Sequence, residues 1–88
     1  RAVAGETVLL VEDDEGVRDY ASQILEDAGY HVIVTSGARQ ALQALQANNR
    51  VDLLFTDVVL GGELNGRQLA DKFQTLRPNV PILFTTGY

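Results

Sequence analysis

Apolar positions along the chain alternate between two patterns, short unbroken runs and longer stretches of helical spacing. The run from Thr7 to Val11 is too short for a helix and has the length of a strand buried on both faces. From Glu15 the period changes, and Val17, Tyr20, Ala21, Ile24, Leu25 and Ala28 fall on one helical face. Asp14 stands where an N-cap is expected and Gly29 where a helix stops. His31 to Thr35, carrying Val32, Ile33 and Val34, reads as a second buried strand. Ala38, Ala41, Leu42 and Leu45 mark a second helix, capped by Ser36 and ending near Asn48 and Asn49. Val51 to Thr56 is a third strand, and the glycine-bearing stretch from Val58 to Gly66 is a loop. Asn65 with Gln68 three residues on forms a capping-box pattern. It opens a third helix whose buried face is Leu69, Ala70, Phe73 and Leu76, and Pro78 stops it. Pro81 to Thr85 is a fourth strand.

The order βαβαβαβ, with strands too apolar to be half-exposed, predicts an α/β fold: a parallel sheet with helices on both faces. Right-handed crossovers leave two common strand orders, the dinucleotide-binding one and the flavodoxin-like 2-1-3-4 series. Acidic residues rather than glycines follow the first strand, which speaks against a nucleotide pyrophosphate there. At 88 residues there is room for one small domain, expected over residues 7–88, with residues 1–6 as linker. The chain begins at Arg1 rather than methionine and reads as a fragment of a longer protein.

Composition removes several kinds of chemistry. There is no cysteine, hence no disulfide, thiolate metal site or cysteine nucleophile. A net charge of −5, with seven basic residues scattered singly, argues against nucleic-acid binding. No apolar run approaches the ~20 residues of a membrane helix, and no signal peptide is present. A cytoplasmic setting is the expectation.

In open parallel sheets, ligands sit beyond the carboxyl ends of the strands where the strand order reverses. In the 2-1-3-4 order that crevice lies between strands one and three. It receives Glu12, Asp13 and Asp14 from one side and Asp57 from the other. Carboxylates so close cannot all ionise without protons or a cation. Oxygen donors with no histidine or cysteine nearby favour a hard ion, and a few carboxylates plus water suit Mg²⁺ better than Ca²⁺. Asp14 and Glu15 are more simply explained as acids at a helix N-terminus.

Three segments carry a family resemblance. Leu9 to Glu15 resembles the opening of bacterial response-regulator receiver domains. Leu53 to Val59 is similar to their phosphoacceptor strand, and Pro81 to Gly87 to their fourth strand. The resemblance implies that Asp57 takes a phosphoryl group from a histidine kinase or histidine phosphotransfer domain, as a signalling switch rather than a free-standing enzyme. It implies Mg²⁺ held by Asp57, Asp13, Glu12 and the backbone carbonyl of Val59. Thr86 would sense the phosphoryl group, with the small Gly87 beside it.

Some features depart from that pattern. Gly61 replaces a usual proline, and Gly62 and Glu63 lengthen the loop, as in receivers attached to hybrid sensor kinases. The family's catalytic lysine ends a fifth strand, and the sequence stops before it; the fourth helix, fifth strand and fifth helix are absent as well. Lys72, the only lysine, is expected to face solvent on the third helix. Without a fifth strand, strand four would present an open edge and invite a homodimer. His31 is expected to be an exposed edge residue, while Tyr20, Tyr30 and Phe73 read as core or near-core.

Two other readings compete. Asp13 to Val17 resembles the haloacid-dehalogenase signature, in which Asp13 would be the nucleophile of a phosphotransferase. A degenerate receiver would serve only as a docking module.

Overall fold

The computed structural model describes residues 5–60 and 64–85. Four parallel strands, β1 (Thr7–Val11), β2 (His31–Thr35), β3 (Leu53–Asp57) and β4 (Ile82–Thr85), lie in the order β2-β1-β3-β4. Between them run α1 (Glu15–Asp27), α2 (Ala38–Ala47) and α3 (Gly66–Leu76). The flavodoxin-like order expected from sequence is therefore the observed one. Its third and fourth strands begin one or two residues later than their apolar runs, because Val51 and Pro81 precede the ladder.

Side chains alternate across the sheet. Leu9, Val11 and Leu54 face α2 and α3 and form the main core with Ala38, Ala41, Leu45, Leu69 and Phe73. Val8 and Leu10, equally buried, face α1. The two layers are unequal. α1 contacts β2 and β1 but buries no residue completely, and Tyr20 is 71% and Ile24 49% exposed. Tyr20 is thus not a core residue. Its helix lies over β1 and β2, leaving Phe55 and its register partner Leu83 partly open on the same face. Nor are all strands buried on both faces. The outer pair, β2 and β4, expose Val34, Leu83 and Phe84.

Helix ends follow local chemistry. Asp14 caps α1 by accepting from Val17 N at 2.9 Å. At the other end Gly29 adopts φ +102°, while Gly29 N donates to Glu26 O and Tyr30 N to Leu25 O. That pair of bonds is a Schellman closure, for which a left-handed glycine is the natural residue. Ser36 does not cap α2. The N-cap is Gly37, one residue later, and Ser36 instead donates its N–H and hydroxyl to Gln40 Oε1. The Asn65–Gln68 capping box of α3 forms in both directions.

Leu76 was expected on the buried face of α3 and is 54% exposed. Steps of four from Leu69 through Phe73 arrive at Arg77, which takes that place. Its guanidinium donates to Leu45 O, Asn48 O and Asn49 O at 3.2, 3.2 and 3.3 Å. α2 has no basic residue in its own last turn, so Arg77 supplies the cation and donors that its terminal carbonyls lack.

Arg77→Ala should therefore lower the unfolding free energy by about 1–2 kcal/mol. Arg77→Lys should recover only part of it, because an ammonium cannot span three carbonyls in one plane. Urea unfolding midpoints of the three proteins check this; coincident midpoints would contradict the clamp.

Candidate functional site

Parallel register places Val11 of β1 beside Thr56 of β3, so the next residues on each strand, Glu12 and Asp57, emerge side by side. Glu12 N continues the ladder to Thr35 O at 3.1 Å, which fixes the backbone just as the side chain turns into the crevice. Glu12 and Asp57 are buried and Asp13 is exposed. One carboxylate oxygen from each of the three lies within 4.8 Å of the others. Asp14 stays out of the cluster, committed to capping α1, and Glu15 occupies that helix's exposed first turn.

The two buried carboxylates are held differently. Asp57 Oδ1 accepts from Val59 N at 3.0 Å. Glu12 Oε2 accepts from Asp14 N at 2.9 Å, but no donor among the described residues meets the buried Glu12 Oε1. Burial raises the Glu12 carboxyl above its ordinary pKa. The Asp14 N–H opposes this, and the charge of Asp57 and the nearby Asp13 push it further up. An orphaned buried oxygen beside two other carboxylates is a donor set suited to a hard divalent cation of the Mg²⁺ type.

Two residues that the sequence reading passed over support the site through its backbone. Arg18 Nη1 donates to Glu12 O at 3.0 Å and to Asp13 O at 3.4 Å, placing a guanidinium beneath the acidic turn. Gly66, the first residue of α3, donates its N–H to Val58 O at 2.9 Å. For Arg18 the available signal was its place in the first turn of the helix that follows the acids.

Of the other expected site residues, Val59 is exposed and meets Asp57 through its backbone N–H. Thr86 and Gly87 lie outside the described residues, as does the Gly61–Glu63 part of the loop. Thr85 pairs in register with Asp57, and its carbonyl accepts from Val58 N at 3.0 Å. Lys72 and His31 are exposed, as expected, and Lys72 lines the groove between α2 and α3.

Residues 8–88 match the family described as response regulator receiver domain. The response regulator receiver protein CpdR of Brucella abortus (strain 2308) is 37% identical over 81 residues, covering 92% of this chain and 66% of that protein. Longer curated relatives match over the same region, and the chain spans only 16% and 9% of two of them. Among solved structures, the receiver domain of the hybrid histidine kinase CckA superposes with a TM-score of 0.79 at 30% identity, covering 92% of this chain and 79% of that one. TrrA of Thermotoga maritima, solved in complex with Mg²⁺ and BeF, gives 0.86 at 23% identity, covering 94% and 70%, a likeness of fold. The haloacid-dehalogenase reading falls with these matches, because it would leave the buried Asp57 without a place. By strand order, acidic site and sequence match alike, the chain belongs to the response regulator receiver domains of two-component systems.

Proposed function

We propose that Asp57 is the phosphoacceptor of a signalling switch, served by Mg²⁺ held among Glu12, Asp13, Asp57 and the Val59 backbone carbonyl. The observation that carries this reading is the buried Glu12 Oε1, which has no partner among the described residues, within a three-carboxylate cluster that contains Asp57. When bound, Mg²⁺ would offset the charge of the cluster and of the incoming phosphoryl oxygens. Val59 N–H fixes one oxygen of Asp57 and leaves the other to attack phosphorus. The new O–P bond forms as the P–N bond of a donor phosphohistidine breaks, and the electron pair leaves with the imidazole nitrogen, which takes up a proton. Thr86 would bond the phosphoryl group with its hydroxyl, and Gly87 would leave room beside it. The register of Thr85 against Asp57 supports that assignment.

The donor is then a histidine kinase or a histidine phosphotransfer domain, acting on the cytoplasmic side where kinases draw on ATP. No helix among the described residues is long and apolar enough to cross a membrane. A second copy of the chain is a further partner. β4 is the outer strand of the described sheet, and its Leu83 and Phe84 are 50% and 39% exposed. An open apolar edge of this kind favours strand-to-strand pairing about a two-fold axis.

A small acyl-phosphate donor with Mg²⁺ should place one phosphoryl group on Asp57, and only slowly on these 88 residues, whose one lysine is the exposed Lys72, as detected by mass spectrometry of the intact chain and its peptides. Asp57→Asn should abolish the labelling. Asp13→Asn should weaken Mg²⁺ binding about tenfold or more in calorimetry. Labelling at another residue, or unchanged Mg²⁺ affinity, would refute the assignment.

The raised Glu12 pKa predicts a pH dependence. The folded protein holds that proton more tightly than the unfolded chain. Metal-free stability should therefore fall as pH rises from the ordinary glutamate range through the raised value. Glu12→Gln should remove the fall, gaining on the parent across that window and matching it at lower pH. Added Mg²⁺ at neutral pH should stabilise the parent more than the variant. Urea unfolding with and without the ion would show both effects, and parallel pH profiles would exclude them.

Light scattering should show the 88-residue chain associating as its concentration rises through the micromolar range. Leu83→Lys, which places a charge beside the open edge, should shift it towards monomer. A concentration-independent monomer would rule out the β4 contact.

A further inference from the structure

We infer that Gly66 is a positioning residue for the phosphoacceptor. Because it lacks a side chain, the start of α3 seats directly on the Asp57–Val58 peptide and fixes where the Asp57 carboxylate and the Val59 backbone stand. The inference rests on the function proposed for Asp57.

Space, and not backbone conformation, is what position 66 demands. Its φ is not left-handed, unlike those of Gly5 and Gly29. A Cβ built there would lie 1.9 Å from Asp57 O and 2.9 Å from both Asp57 C and Val58 Cα. A carbon rarely approaches an oxygen closer than about 3.3 Å without bonding, so one side must retreat by more than about 1 Å. All three atoms are backbone, so no flexible side chain can swing aside.

Both sides are tethered, the strand side by single hydrogen bonds and the helix side by its cap and its buried face. Asp57 O accepts from the hydroxyl of the fully buried Thr56 at 3.0 Å. Val58 is tied to Thr85 O through its N–H and to Gly66 N through its carbonyl. Val59 N holds Asp57 Oδ1. On the helix side the capping box sets the first turn, and Leu69, Ala70 and Phe73 anchor the rest in the core. A side chain at 66 would thus be relieved by shifting residues 57–59. Those residues carry the nucleophile, the N–H that orients it and the carbonyl proposed as a metal ligand. A displacement near 1 Å at reacting groups costs on the order of a hundredfold in rate.

Gly66→Ala tests this against two controls. Gly37→Ala adds the same methyl where nothing lies within 4 Å. Arg77→Ala lowers stability at the α2 clamp, away from the acidic crevice. In the metal-free protein, Gly66→Ala should displace the NMR resonances of the Asp57, Val58 and Val59 amides and the Asp57 carboxyl carbon, while Gly37→Ala leaves them in place. Its Mg²⁺ affinity should fall by about ten- to a hundredfold, with Arg77→Ala staying within about twofold at a temperature where every variant is folded. Unmoved resonances, or moved resonances with the parent's Mg²⁺ affinity, would overturn the inference. If the parent itself binds no Mg²⁺ while the resonances move, positioning of Asp57 stands and the metal reading fails. Should Gly66→Ala remain unfolded even in a stabilising osmolyte, the parent decides. Its Gly66 amide must shift in step with the Val59 amide during Mg²⁺ titration, and a Gly66 amide that stays still overturns the proposal.

Discussion

Mutual repulsion among Glu12, Asp13 and Asp57, gathered within 4.8 Å at the ends of β1 and β3, is the constraint to which the surrounding structure answers. Two of these carboxylates are buried, where charge costs most, and burial is the leading reason that the Glu12 pKa is raised. The chain opposes the repulsion with backbone. The Asp14 N–H serves Glu12, the Val59 N–H serves Asp57, and Arg18 draws the carbonyls of Glu12 and Asp13 towards α1. None of these donors reaches Glu12 Oε1. The compensation is partial, which suits a site that binds a cation reversibly better than one closed by an internal salt bridge.

The sheet places that constraint where it can be supported. β1 and β3 are its inner strands, and β1 is buried along its whole length. Apolar packing from α2 and α3 on one face holds the strand ends in register against the repulsion at their tips. The other face is thinner, since α1 shields Val8 and Leu10 but leaves its own apolar stripe partly in solvent. Stability is therefore concentrated on the α2–α3 side, and the Arg77 clamp joins those two helices at the end opposite to α3's capping box.

Much of this was legible in the sequence because the signals were local. The strand runs, the Asp14 cap, the Gly29 stop and the Asn65–Gln68 box each depend on residues within a turn of one another, and each formed. The acidic crevice was legible too, since strand order alone carries Glu12, Asp13 and Asp57 together. What the pattern misjudged depends on partners far along the chain. Tyr20 and Ile24 have the spacing of buried residues, yet burial requires a surface opposite, and periodicity does not say whether one is there. Leu76 lost its place to Arg77 because the carbonyls that Arg77 serves belong to another helix. Gly66 looked like one more loop glycine, whereas its reason lies nine residues back, in the carbonyl of Asp57.

On the proposed reading, phosphorylation adds about two negative charges beside Glu12 and Asp13, and the tethers of residues 57–59 differ in what they would yield. The seat of Gly66 on Asp57 is backbone against backbone, so it resists compression steeply. Thr56, which bonds the Asp57 carbonyl, is wholly enclosed and offers no room either. By contrast the link from Val58 N to Thr85 O is one hydrogen bond to an outer strand, with a net worth of about 1 kcal/mol. Thr85 is only half-buried. New charge at Asp57 thus meets stiffer resistance at the Gly66 seat than at the Val58–Thr85 hydrogen bond.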